Sequence, residues 1–175
     1  LAIANAGRDT LVVVPTIDLM IQWSRQLDEA FGIKTGMLGG GSRDIQPVTV
    51  STYDSAVLMM DYIGARFGML VVDECHHLPS EYYSRLARGC IAPFRLGLSA
   101  TPERSDGGEQ ELDALIGRIC YRRGIDEMGG GILSRYRTER ISVPMAEDEE
   151  VIYRENHDRY VAFLHRYRIN MGSPE

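Results

Sequence analysis

Lysine is nearly absent from this chain: among 175 residues, Lys34 stands alone, while arginine supplies the rest of the basic side chains. Lys34 follows Ile33 rather than Gly and comes after a helical stretch instead of before one, so no G-x-x-x-x-G-K-[ST] loop cradles a phosphate here. Cysteine is scarce too. Cys75, Cys90 and Cys120 are odd in number and show no C-x-x-C spacing, which argues against a disulfide framework or a four-thiolate zinc site. No apolar run approaches the ~20 residues that cross a bilayer, and the opening "LAIANAGRDT" has neither a basic flank nor an initiating Met. The expectation is a cytoplasmic chain with no membrane partner, whose first residue is not a natural beginning.

The composition, 44% hydrophobic and 25% charged, is that of a globular domain, and the length suits one domain. A net charge of −6 does not advertise a nucleic-acid binder. Between Arg118 and Arg140, however, six Arg face three acidic residues, while 146–150 reads "AEDEE". Solvated surface accounts for either charge run.

Short Val-, Ile- and Leu-rich runs alternate with amphipathic stretches, which predicts a parallel sheet covered by helices. Strands are expected at 10–15, 34–38, 48–53, 69–74 and 95–100. Helices are expected at 17–31, capped by Thr16 or Asp18, and at 55–66, 80–88 and 109–116. Runs that are apolar on both faces belong in the middle of the sheet. Their polar residues gather at the carboxyl ends: Thr16, Thr52, Asp73 with Glu74, and Ser99 with Thr101. In open α/β sheets that rim binds ligands. Three segments follow: 1–117 as the α/β body, 118–145 as a basic connection with one more strand, and 146–175 as a long helix. That helix opens acidic and ends Arg-rich, as its dipole favours.

The stretch "MLVVDECHHLPS" drives a buried strand into ionisable chemistry. Two adjacent carboxylates there suit metal-assisted phosphoryl transfer, Asp73 holding Mg²⁺ through water and Glu74 positioning or deprotonating the attacking water. Alternatively they solvate a turn and cap the helix expected near Ser80. Cys75, His76 and His77 are contiguous and have no second ligand pair nearby, a poor pattern for zinc. A dinucleotide site is disfavoured because "GGGSRD" lacks the third glycine of G-x-G-x-x-G.

Five segments in order, "VVPTIDLMIQW" (13–23), "GGG" (39–41), "VSTYDS" (50–55), "VVDECHH" (71–77) and "LGLSATPER" (96–104), resemble the first RecA-like lobe of superfamily 2 DExH-type helicases, nearest the xeroderma pigmentosum B-like and type III restriction-like branches. The resemblance implies a RecA-like, P-loop NTPase type three-layer sandwich with a mainly parallel sheet, lacking the first strand and P-loop, plus a C-terminal helical extension toward a second lobe of the same polypeptide. It implies ATP and Mg²⁺ as cofactors and DNA as partner, with RNA possible, and nucleoid association in a bacterial or archaeal cell.

By the same resemblance Asp73, Glu74 and His76 form the catalytic D-E-x-H set, and Ser99, Ala100 and Thr101 couple the ATP site to the nucleic-acid track. Pro15, Thr16, Gln22, Trp23, Gly39, Gly40, Thr52, Tyr53 and Arg104 match nucleic-acid-contacting positions. Trp23 at its helical spacing also reads as core, and Tyr53 reads either way. Where relatives carry Arg-Glu-Asp, Arg104 and Asp106 flank Ser105, a departure that bears on duplex opening and not on ATP hydrolysis. Since "LAIANAG" reads as the end of the helix that follows a phosphate loop, the expectation is a truncated motor, inactive alone, with "RLGLSA" left as an apolar edge. The competing expectation is a non-catalytic nucleic-acid-binding or scaffold protein.

Overall fold

Thr10, Leu11, Val12, Val13 and Val14 are all wholly buried, so β1 (Thr10–Val14) needs neighbours on both edges and cover on both faces. It has them. In the computed structural model, which describes residues 1–100, 109–123, 139 and 141–167, β1 pairs in parallel with β4 (Val48–Thr52) and with β5 (Met69–Asp73). β2 (Gly36–Gly39) runs parallel to β4, and β6 (Phe94–Leu98) runs parallel to β5. The sheet order is β3-β2-β4-β1-β5-β6, with β3 (Ser42–Asp44) antiparallel to β2.

Alternate residues of each strand face opposite layers. Leu11, Val13, Leu70 and Val72 join a core under α3 (Tyr53–Ile63), α4 (Ser84–Gly89) and α5 (Glu109–Leu115). Val12, Val14, Val50 and Val71 join a second core under α1 (Ala2–Ala6) and α2 (Ile17–Phe31). This is the expected three-layer, mainly parallel α/β sandwich.

Local signals explain the helix ends. Thr16 Oγ1 accepts from the Leu19 amide at 3.2 Å and caps α2, whose first turn carries Asp18. Gly7 closes α1 in the left-handed region at φ 56°. Several spans differ from the sequence expectation. The strand expected from 34 begins at Gly36, and a hairpin adds β3, too short and polar to register as periodicity. Helix α3 begins at Tyr53 rather than 55, and α4 at Ser84 rather than 80, because Ser80 Oγ instead accepts from the Tyr83 amide in a preceding turn. Cys75–His77 form a single 3₁₀ turn.

As expected, β6 is a sheet edge among the described residues: it pairs with β5 alone, and Phe94 is 48% exposed. The chain divides into two compact units, Leu1–Arg122 and Arg123–Glu175. In the second, α6 (Glu147–Tyr167) opens on Glu147, Asp148, Glu149 and Glu150, and the rest of the helix expected over 146–175 lies outside the described residues. The extra strand anticipated within 118–145 is not found among its described residues. Residues 141–146 have no regular structure, and Ile141 and Val143 are exposed with no strand to pair with.

Candidate nucleotide-hydrolysis and nucleic-acid site

Parallel pairing puts every strand's carboxyl end on one rim. Val14 is in register with Thr52, Val13 with Val72, and Asp73 with Leu98. Thr52, Pro15 and Thr16, Asp73 and Glu74, and Ser99 therefore follow one another along the same sheet edge. Gly39 ends β2 on that edge beside β4.

At its centre Asp73 and Glu74 form a tight acidic turn. Glu74 has φ 49° and ψ 49°, and it is the one described non-glycine residue at positive φ. A left-handed L-residue costs about 1–2 kcal/mol, so surrounding contacts must hold it. The Glu74 amide donates to Asp73 Oδ1 at 3.1 Å, and the His77 amide donates to the Glu74 carbonyl at 3.1 Å. From below, the Tyr53 hydroxyl lies 2.8 Å from the Asp73 carbonyl and 3.0 Å from that of Glu74, sharing its proton between them. Burial, and after it the neighbouring Cys75, Asp73 and Glu74, push the Tyr53 phenol far up, so it remains a neutral donor.

Tyr53 is 3% exposed, and this corrects its assignment to a nucleic-acid contact: no face of the ring reaches the surface. It packs edge-on against Tyr83, with centroids 5.0 Å apart, and Tyr83 in turn donates to Asp54 Oδ1 at 3.1 Å. Sequence reasoning missed Tyr83; its one signal was an aromatic pair just before a short helix. Trp23 also turns inward. It is half-buried against the α2 core, and its Nε1–H donates to Asp73 Oδ2 at 2.9 Å.

His76 joins the acidic turn to the neighbouring strand. Its Nδ1 lies 2.9 Å from Ser99 Oγ and 3.4 Å from Glu74 Oε2. Ala100 is exposed beyond Ser99, whereas Thr101 and Arg104 lie outside the described residues. Cys75 is 5% exposed and plugs the gap beside Gly97; burial pushes its thiol up, away from the thiolate a zinc site needs. Among the described residues no group of three His, Cys, Asp or Glu could enclose a metal. The donor chemistry does fit magnesium, which keeps several waters and takes one or two carboxylates.

Thr16 and Gln22 are exposed on α2, and Pro15 is half-buried. Gly39 is needed where it stands: at φ 135°, a Cβ there would sit 2.9 Å from Thr52 Oγ1 and 3.1 Å from Ser55 Oγ. Gly40, exposed at φ 57°, turns the chain toward β3.

Residues 1–104 match the family described as type III restriction enzyme, res subunit. Over 144 residues the chain is 41% identical to the DNA 3'-5' translocase XPB2 of Sulfurisphaera tokodaii, covering 82% of this chain and 33% of that protein. Over 164 residues it is 30% identical to the DNA 3'-5' helicase XPB of Mycobacterium tuberculosis, covering 87% and 30%. The helicase domain of Pyrococcus furiosus Hef shares the fold, with a TM-score of 0.54 at 20% identity over 65% of this chain and 28% of that one. The chain spans about a third or less of these relatives' lengths.

Proposed function

Because this chain belongs to the type III restriction enzyme res-subunit family and is a first RecA-like lobe of the XPB-like branch of superfamily 2 helicases, we propose that it serves an ATP-dependent DNA translocase or helicase, inside the cell. In this reading a longer polypeptide supplies the phosphate cradle and a second lobe. The observation that carries the proposal is the strained Asp73–Glu74 turn, held on the sheet rim and joined through His76 to Ser99.

Each residue has a role its chemistry allows. Asp73 would hold Mg²⁺ through water; its two oxygens each take one protein donor and keep lone pairs to spare. Magnesium, when bound, neutralises charge on the β- and γ-phosphates. Glu74 orients the attacking water and takes its proton, its side chain being 38% exposed at the turn. His76 holds Glu74 against Ser99, so a shift of the β6 end moves the carboxylate. Thr16, Gln22, Thr52 and the glycine turn at Gly39 and Gly40 offer hydroxyls, an amide side chain and bare backbone to phosphates along one strand, contacts that position without reading bases. Such a local track works on a chain of net charge −6.

Glu74→Gln in the full-length protein tests the reading. ATP turnover should fall ~100-fold or more while DNA affinity is kept, since a general base contributes about 10²–10⁴-fold. Unchanged turnover would remove Glu74 from this role. A wild-type protein that binds DNA yet hydrolyses no ATP would favour a non-catalytic binding protein instead.

A further inference from the structure

We propose that Trp23 is a positioning residue for the Asp73 carboxylate, tuning how tightly the site takes Mg²⁺, and not a nucleic-acid contact; this rests on the motor reading above. The single tryptophan of the chain stands 50 residues from Asp73, yet its Nε1–H donates to Oδ2 at 2.9 Å. An indole N–H donates and cannot accept, so it engages only an oxygen acting as acceptor. The second oxygen is engaged too, by the Glu74 amide at 3.1 Å. With one donor on each oxygen, the carboxylate plane is set, and the remaining lone pairs point in fixed directions.

The surroundings favour this bond. Trp23 is half-buried against the α2-side core, and its bond to Asp73 is part-buried, where a charge-assisted hydrogen bond gains strength. Trp23 lies midway along helix α2, whose amino end is capped by Thr16. Rotation of Asp73 therefore requires either breaking the indole bond or moving the helix. Donors that orient a metal's carboxylate from behind commonly change metal affinity by about 10–100-fold when removed. Trp23 stands in that relation to Asp73.

Trp23→Phe in the full-length protein keeps an aromatic ring on the α2-side core and deletes the N–H together with the pyrrole part of the indole. Mg²⁺ is titrated in the presence of a fluorescent ADP analogue, and binding and turnover are both followed. The Mg²⁺ concentration for half-maximal nucleotide binding should rise ~10-fold or more. Single-stranded DNA affinity and cooperative thermal unfolding should be retained. In protein labelled with ¹⁵N-tryptophan, the indole resonance missing from the variant should shift when Mg²⁺ and ADP are added to wild type. An unchanged Mg²⁺ requirement, or an indole signal indifferent to the metal, overturns the proposal. Loss of DNA affinity with unchanged Mg²⁺ demand returns Trp23 to the nucleic-acid track and also overturns it. Should wild type bind no Mg-nucleotide, the motor reading falls and takes this proposal with it, an outcome distinct from failure in the variant alone.

Discussion

His76 Nδ1 and Ser99 Oγ lie 2.9 Å apart although 23 residues separate them, because Asp73 and Leu98 are in register at the ends of adjacent parallel strands. This contact spans two strand tips. Ser99→Ala removes it while keeping both carboxylates of the acidic turn. One hydrogen bond contributes about 0.5–1.5 kcal/mol, so ATP turnover in the full-length protein should change by no more than about tenfold, while strand displacement drops further than turnover does. Parallel losses in both assays would count against a coupling role.

The left-handed Glu74 carries strain that glycine does not feel. Comparing Glu74→Ala with Glu74→Gly isolates it, since both delete the carboxylate. The glycine variant should unfold at higher urea, by about 1 kcal/mol, with Trp23 fluorescence as the probe. Equal stabilities would mean that the φ of 49° relaxes freely.

Tyr53→Phe removes the hydroxyl proton that the Asp73 and Glu74 carbonyls share, while the Glu74 carbonyl keeps the His77 amide. Losing one hydrogen bond costs about 0.5–1.5 kcal/mol, and the acidic turn should loosen. The expected readouts are lower stability and faster amide exchange at Glu74 and Cys75. Unaltered exchange there would show that the turn holds without the phenol.

The same tyrosine sets an alkaline limit. Its phenol is raised from an ordinary value of 10.0 by burial in the folded chain. Below that pH both folded and unfolded chains keep the proton, and the stabilisation is intact. Above it the unfolded chain loses the proton first, so stability falls as pH rises. Urea midpoints taken from about pH 9 to about pH 11 should drop more steeply in wild type than in Tyr53→Phe. Parallel slopes would place the titration elsewhere.

Gly97 in β6 leaves room for Cys75: a Cβ there would lie 2.8 Å from Sγ and 3.2 Å from Ile116 Cγ2. Gly97→Ala should cost about 1–3 kcal/mol by overpacking. Adding Cys75→Ala should recover part of that loss, since the sulfur is the nearest atom, and a double-mutant cycle measures the coupling. Strict additivity would mean that the strand, not the thiol, gives way.

Much of this molecule was legible as pattern. The apolar runs that became β1, β4 and β5, the Thr16 cap and the Gly7 stop all depend on neighbours within a few residues, where periodicity and capping chemistry act. The rim of polar strand ends followed from parallel connectivity alone. Less legible were β3, three residues long, and the start of α4, where Ser80 had two possible uses and took the turn. Trp23 and Tyr53 were hardest to place, since their rings suit a core, a stacking surface or a polar clamp equally well.

By itself the sequence determined the layers, the order of strand and helix, and which residue types would meet at the sheet's rim, because burial and chain connectivity are written in local pattern. Only the tertiary structure decided that an indole from one helix and a phenol from another close on Asp73 and Glu74, and that Glu74 sits in a left-handed turn. Those are distances of a few ångströms between residues 20 to 50 positions apart, set by how helices pack across the sheet, and no local pattern encodes them.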